Sequence, residues 1–209
     1  MKDPRGCRQC PRLVTFRKEQ QVRHPDYHNL PVRSFGPDRA RLLIVGLAPG
    51  LHGANATGRP FTGDSSGSLL FEVLYRFGLA SLDRSVGSDD GLRLRDCRIT
   101  NAVKCLPPEN RPLADEINTC NRYLRDEISA LPVGSVLLAL GTVAHRAILM
   151  AMDLQQSTYR FRHAAEFTLP NGFKLFDSYH PSRYNQNTGR LTGTMLAGVF
   201  ERIEAVSHG

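Results

Sequence analysis

The stretch Arg41-Leu42-Leu43-Ile44-Val45-Gly46-Leu47-Ala48-Pro49-Gly50-Leu51-His52-Gly53-Ala54-Asn55-Ala56-Thr57-Gly58-Arg59-Pro60-Phe61-Thr62-Gly63-Asp64 decides how the rest of the chain is read. Its apolar start is a strand, and its glycine-rich remainder runs into an amphipathic segment. The loop therefore sits beyond the carboxyl end of a strand, where an α/β sheet presents its ligand crevice. Gly46, Gly50, Gly53 and Gly58 let backbone approach a ligand closely, Pro49 and Pro60 stiffen the turn, and Phe61, read as an exposed aromatic, stands near one acid, Asp64. No Gly-Lys-Ser/Thr follows, and the glycines do not fall as G-x-G-x-x-G, so neither phosphate-binding loop is present. Long loops in compact domains are usually functional, and this one reads as the wall of a pocket.

Outward from this loop, strands and helices alternate. Asp64, Ser65 or Ser66 caps a helix with Leu69, Leu70, Val73, Leu74 and Phe77 on one face. A polar, exposed loop is expected over Ser81 to Arg95, then a second strand over Cys97 to Val103, which brings Asn101 to the same sheet edge. The Pro107-Pro108 break precedes a helix from about Leu113 to Ser129, with Ile117, Cys120, Leu124 and Ile128 at helical spacing. Ser135 to Leu140 has no alternation and reads as a buried parallel strand, followed by a helix from Gly141-Thr142 through Met150. Phe173 to Phe176 is the last strand and leads to His180-Pro181-Ser182; a final helix carries Leu196, Val199, Phe200 and Ile203. Ser157 to Leu169 gives no clear pattern. The fold expected is an α/β three-layer sandwich with a central parallel sheet of about four strands, in a single domain over residues 1–209.

Composition narrows the function. The apolar share of 41% and charged share of 22% are those of a globular protein, and no run reaches the roughly 18 apolar residues of a membrane helix. The N-terminus lacks the apolar core of a secretory signal, so a cytoplasmic location is expected. A net charge of +7, carried almost entirely by arginine, favours a polyanionic partner such as nucleic acid. The cysteines at 7, 10, 97, 105 and 120 suit metal binding better than disulfides in a reducing compartment. Cys7-x-x-Cys10 and the couple Cys105 and Cys120 make two pairs, a donor set for zinc or for a 4Fe–4S cluster, and Cys97 packs as a small hydrophobe.

Three strand ends converge on one crevice: the 46–64 loop, Asn101, and the His180 loop. An aromatic face, an amide that matches a base edge, a histidine and a carboxylate are the groups needed to hold a flipped nucleobase and cut it out. At this point the chain resembles the uracil-DNA glycosylases, and among them the iron-sulfur family 5. The resemblance rests on Gly46-Leu47-Ala48-Pro49-Gly50, Thr57-Gly58-Arg59-Pro60-Phe61-Thr62-Gly63-Asp64, Thr100-Asn101-Ala102-Val103-Lys104-Cys105, His180-Pro181-Ser182-Arg183 and Thr188-Gly189-Arg190, and spans nearly the whole chain. The sibling family 4 has a glutamate where this chain has Leu47, so the usual acid of the first motif is absent and Asp64 is its substitute.

The resemblance implies a monofunctional enzyme of base-excision repair that flips and excises uracil, and other deaminated or damaged bases, leaving an abasic site. Asp64, His180 and Asn101 are the implied catalytic residues; Gly46, Ala48, Gly50, Phe61, Ser182, Arg183 and Asn185 are the substrate-binding ones. It also implies a structural 4Fe–4S cluster on Cys7, Cys10, Cys105 and Cys120. Double-stranded DNA is the expected partner, with single-stranded DNA a second substrate form, for a monomer with no membrane contact. The competing readings are a non-catalytic, metal-stabilised nucleic-acid-binding protein and a zinc base deaminase; the latter lacks its H-x-E and P-C-x-x-C signature.

Overall fold

Four runs, Leu-Leu-Ile-Val-Gly, Cys-Arg-Ile-Thr-Asn, Val-Leu-Leu-Ala-Leu and Lys-Leu-Phe-Asp-Ser, form parallel strands whose two faces are both covered by helices. The computed structural model describes residues 2–207; Met1, His208 and Gly209, the ends of the expected domain, lie outside the described residues. From the N-terminus, α1 (Pro11–Arg23) is followed by β1 (Leu42–Gly46), a short α2 (Ala54–Thr57), α3 (Ser65–Arg76), β2 (Cys97–Asn101) and α4 (Ala114–Ser129). Then come β3 (Val136–Leu140), α5 (Thr142–Ala151), β4 (Glu166–Thr168), β5 (Lys174–Ser178), a short α6 (Arg183–Asn187) and α7 (Gly193–Ser207).

Strand alternation divides the core in two. Leu42, Ile44, Ile99, Leu138 and Phe176 pack with Leu70, Phe71 and Leu74 of α3 and Leu196, Val199 and Phe200 of α7. Leu43, Val45, Leu137, Ala139 and Leu175 face the other way, onto Leu124 and Ile128 of α4 and Ala144, Ala147 and Ile148 of α5. The three layers are those expected. Truncating Phe71 or Phe200, both essentially fully buried, would cost about 3–5 kcal/mol in cavity and transfer energy.

The sheet has five strands rather than about four, in the order β2-β1-β3-β5-β4. The added strand, β4, runs antiparallel to β5 and lies in the segment whose sequence gave no pattern. With three partly exposed residues it is too short to display a period. Other boundaries move for local reasons. β2 ends at Asn101 rather than Val103, although Ala102 and Val103 still donate to the carbonyls of Gly46 and Leu47. β5 extends past Phe176 to Ser178 because Asp177, fully buried, accepts a 2.7 Å hydrogen bond from His145 Nδ1. The 81–95 segment is a mostly exposed loop, as expected, but Ser85, Leu92 and Leu94 within it are buried. Among the described residues, no helix is long and apolar enough to cross a membrane.

Candidate active site

Parallel register sets Gly46 directly beside Asn101 and Leu140 beside Ser178, so the loops after β1, β2, β3 and β5 leave the sheet at one edge. Two close approaches explain glycines there. A Cβ on Gly46 would lie 2.5 Å from Asn101 Oδ1 and 2.6 Å from the Phe61 ring, and a Cβ on Gly67 would lie 1.7 Å from the Phe61 carbonyl oxygen. Phe61 occupies the slot they leave, with φ at +55°, a conformation that a bulky L residue adopts only when its surroundings enforce it. The expectation of an exposed Phe61 is therefore corrected: the residue is only 6% exposed, and its ring packs nearly parallel to His180, centroids 5.8 Å apart.

Around these rings lies a pocket of about 30 Å³ lined by Ala48, Gly50, Ala54, Phe61, Asp64, Ser66, Asn101 and His180, room for about two water molecules. Asn101 is 4% exposed, and among the described residues neither its side-chain amide nor the imidazole of His180 has a hydrogen-bond partner. Burial pushes His180 down to about 4, so its ring is neutral at physiological pH. Asp64 begins α3 as its N-cap: Oδ1 accepts 2.9 Å from the Gly67 amide. Its Oδ2 rests against the Cα atoms of Gly53 and Gly50, where added Cβ atoms would come within 2.5 and 3.5 Å. Thus Gly46, Ala48, Gly50, Phe61, Asp64, Asn101 and His180 gather at one place. Asn55 does not join them, being 1% exposed with its Nδ2 donating to Asn29.

The loop after His180 is built differently. Ser182 caps α6 by accepting from the Asn185 amide, Asn185 Nδ2 donates to the His180 carbonyl, and Gln186 Nε2 donates to the carbonyls of Ser65 and Pro181. The polar atoms of Ser182 and Asn185 thereby fix the loop, leaving Arg183 and Tyr184 exposed beside the pocket. Arg190, also exposed, lays its guanidinium over Tyr179 at 4.6 Å.

Cys7, Cys10, Cys105 and Cys120 line a second small space with Pro4, Leu13, Val103 and Tyr123, Cys105 and Cys120 buried and Cys7 and Cys10 half-buried. No disulfide joins them. Among the described residues no group of three or more His, Cys, Asp or Glu side chains is spaced for a metal ion. The sulfurs do collect donors: Lys104 N reaches Cys120 Sγ at 3.3 Å, Arg122 Nη2 reaches Cys7 Sγ at 3.5 Å and Arg17 Nη1 reaches Cys105 Sγ at 3.6 Å. Arg122 Nε is buried there without a partner. Burial pushes the Cys105 thiol up to about 12 and that of Cys120 up to about 11. At Cys7 burial is outweighed by the Gln9 amide, Tyr123 and Arg122, which hold it below the usual thiol value.

Sequence reading missed Ala54 and Ser66 as lining residues, and it missed the buried ion pairs Lys104–Glu127 and Arg59–Asp90 that brace the two sites. The only local signal was a charged residue, Arg59 or Lys104, inside an otherwise apolar or glycine-rich motif.

A small slot at the carboxyl edge of a parallel sheet, with an aromatic wall, an unengaged amide and a neutral imidazole, is the arrangement of an α/β enzyme site suited to a planar ring. The family model "Uracil DNA glycosylase superfamily" matches residues 33–204. A type-5 uracil-DNA glycosylase of Thermus thermophilus is 46% identical over 200 residues, covering 93% of this chain and 91% of the relative. One of Pyrobaculum aerophilum is 44% identical over 204 residues, covering 96% and 88%. A crystal structure of wild-type Pedobacter heparinus SMUG2 shares the fold at a TM-score of 0.51 and 14% identity, over 82% of this chain and 77% of that one. The chain belongs to the uracil-DNA glycosylase superfamily, and within it to the type-5 members.

Proposed function

We propose that this protein is a monofunctional uracil-DNA glycosylase of DNA repair, which hydrolyses the N-glycosidic bond of uracil in DNA and leaves an abasic site. The observation that carries the assignment of roles is the pairing of an unengaged Asn101 amide with an unengaged, neutral His180 imidazole in one pocket. Neither group has a protein partner to give up, so a ligand that matches both gains two hydrogen bonds without breaking any, and an analogue that lacks a matching edge is disfavoured.

Extruding a uracil costs a few kcal/mol, less where it is mispaired with guanine. Phe61 forms one wall, the backbone of Gly46, Ala48 and Gly50 another, and Asn101 pairs with the base edge. As the C1′–N1 bond breaks, its electron pair passes into the uracil ring. His180 donates a hydrogen bond to the oxygen that gains charge. The sugar becomes oxocarbenium-like; Asp64 stabilises it and orients the attacking water, whose proton leaves to solvent. Leu47 supplies no acid to the first motif, and a pocket without that charge accommodates hypoxanthine, xanthine or etheno adducts besides uracil. Arg183, with Ser182 and Asn185 holding its loop, meets backbone phosphate.

Cys7, Cys10, Cys105 and Cys120 would be the ligands for a 4Fe–4S cluster, a group wider than the single ion that their spacing does not suit; four thiols around one space and three N–H donors aimed at sulfur are the features that support it. When bound, such a cluster ties α1 to the segment after β2 and couples metal binding to folding. The 1–209 chain works as one domain, a cytoplasmic monomer acting on double-stranded DNA, with single-stranded DNA a second substrate form.

The test is release of free base from oligonucleotides carrying U opposite G, U opposite A, or unpaired U, followed by strand scission at the abasic site with alkali. Binding to these DNAs with no base released from any would leave the non-catalytic binding protein as the reading.

A further inference from the structure

Arg59 and Asp90 form an ion pair at 2.6 Å with both side chains less than a tenth exposed. Arg59 Nη1 also donates to Ser85 Oγ at 3.0 Å, Nη2 donates to the Ser88 carbonyl at 2.5 Å, and the guanidinium lies 4.4 Å above the Phe35 ring. Asp90 accepts further from Ser85 Oγ and from the amides of Val86, Gly87 and Leu92, at 2.9 to 3.3 Å. Burial alone would raise this carboxyl, yet Arg59 and the amides hold it well below the usual carboxylate range.

What this turn grips lies on both sides of Phe61. Arg59 is two residues before it. Thr62 Oγ1 meets Ser85 Oγ at 2.7 Å, and the Gly63 amide donates to the Ser85 carbonyl at 3.2 Å. Residues 59, 62 and 63 are all held by the 85–90 turn, and the residue between them has φ at +55°. Such a conformation persists only where neighbours over-determine it.

We propose that Asp90 is a positioning residue for base excision: through Arg59 and Ser85 it holds Phe61 in the left-handed conformation that sets its ring against His180 and the pocket. The inference rests on the seating of the base against Phe61 described above. It assigns the 85–90 turn, which lies outside every motif of the pocket, a part in catalysis.

Single-turnover base release on a U·G duplex, duplex affinity and thermal melting are measured for Asp90→Asn, Thr62→Val, Phe61→Ala and the Asp90→Asn/Phe61→Ala double variant. Asp90→Asn is expected to slow release by about 10- to 100-fold, the scale of a misplaced reacting geometry, with duplex affinity nearly unchanged. Thr62→Val slows it less. On the Phe61→Ala background, Asp90→Asn should add little, because the ring it positions is gone. If Phe61→Ala is slow but Asp90→Asn keeps the full rate, or if the two losses multiply independently, the positioning role is overturned while the base seat stands. If Phe61→Ala itself keeps the full rate, the base seat fails and the inference falls with it. Should Asp90→Asn fail to fold, the same cycle is run with Thr62→Val and is read by the same two outcomes.

Discussion

The base pocket, beside Asn101 at the end of β2, and the cysteine-lined space, beside the segment that follows, are both small, yet they treat their reactive side chains in opposite ways. In the cysteine space sulfurs are met by N–H groups of Lys104, Arg122 and Arg17 and wrapped by Leu13, Val103 and Tyr123. In the base pocket the Asn101 amide and the His180 ring stand without partners while backbone, Phe61 and Asp64 are tightly fixed. In the first region N–H donors already point at sulfur, although Arg122 Nε is left without a partner; in the second the Asn101 and His180 side chains are free to take a ligand. A site of the first kind contributes to stability, and a site of the second kind reserves binding energy for a substrate and its transition state.

The largest effect should come from the cysteine space. Cys105→Ala or Cys120→Ala is expected to abolish soluble protein, since metal binding is folding energy in such sites, whereas Cys97→Ala, within β2, should leave metal content intact. Protein purified without oxygen should be brown and carry roughly four irons per chain. Stoichiometric zinc with no iron would break the cluster assignment.

In the base pocket, activity should suffer while the fold survives. His180→Ala and Asp64→Ala should each lower single-turnover release by about 10²-fold or more, the scale of one lost electrostatic donor, with little change in affinity for uracil-containing duplex. Full activity of Asp64→Ala on U·G would remove that residue from the mechanism. Phe61→Ala should weaken all substrates together, by about 1–3 kcal/mol if its contact matches other base–aromatic stacks. Asn101→Ala should penalise uracil more than lesions that present no matching edge.

His180 also gives the comparison a pH axis. Its value of about 4 lies below the ordinary 6.5, so between these values the unfolded chain binds a proton that the folded chain does not. The stability associated with the neutral ring is complete above pH 6.5 and is lost as pH falls toward 4. Acid titration of the melting temperature should therefore be shallower for His180→Asn than for the natural protein. Equal slopes would mean that the ring is more hydrated than its surroundings indicate.

The sequence made some of this legible because the information is local. Leu42 to Val45 and Val136 to Leu140 are apolar runs, and the cysteine pairs are recognisable by spacing. β4 escaped because three residues, two half-buried and one exposed, carry no period. Phe61 was misjudged because its burial depends on Gly46, Gly67 and His180, and Asp90 was passed over because its partner lies 31 residues away. Within the candidate site, residue types that do chemistry were legible from the loops' place at strand ends. Which of their atoms are already engaged, as in Ser182 and Asn185, was not, because hydrogen-bond partners are a property of the folded loop.

The smallest expected effect repeats the contrast between engaged and unengaged groups on the surface. Arg183 is exposed on α6, whereas Arg190 is already drawn over the Tyr179 ring. Each arginine that neutralises a phosphate contributes nearly one to the slope of log affinity against log salt. Arg183→Ala should lower that slope by about one for both uracil-containing and undamaged duplex, because a phosphate contact carries no base information. Arg190→Ala should lower it by less: its cation is held by a ring, and leaving that ring for a phosphate returns only the difference between two favourable contacts. Equal losses from the two variants would mean that the Tyr179 stack sets Arg190 toward the phosphate instead of competing with it. An unchanged slope for both would place the DNA backbone on another face of the protein.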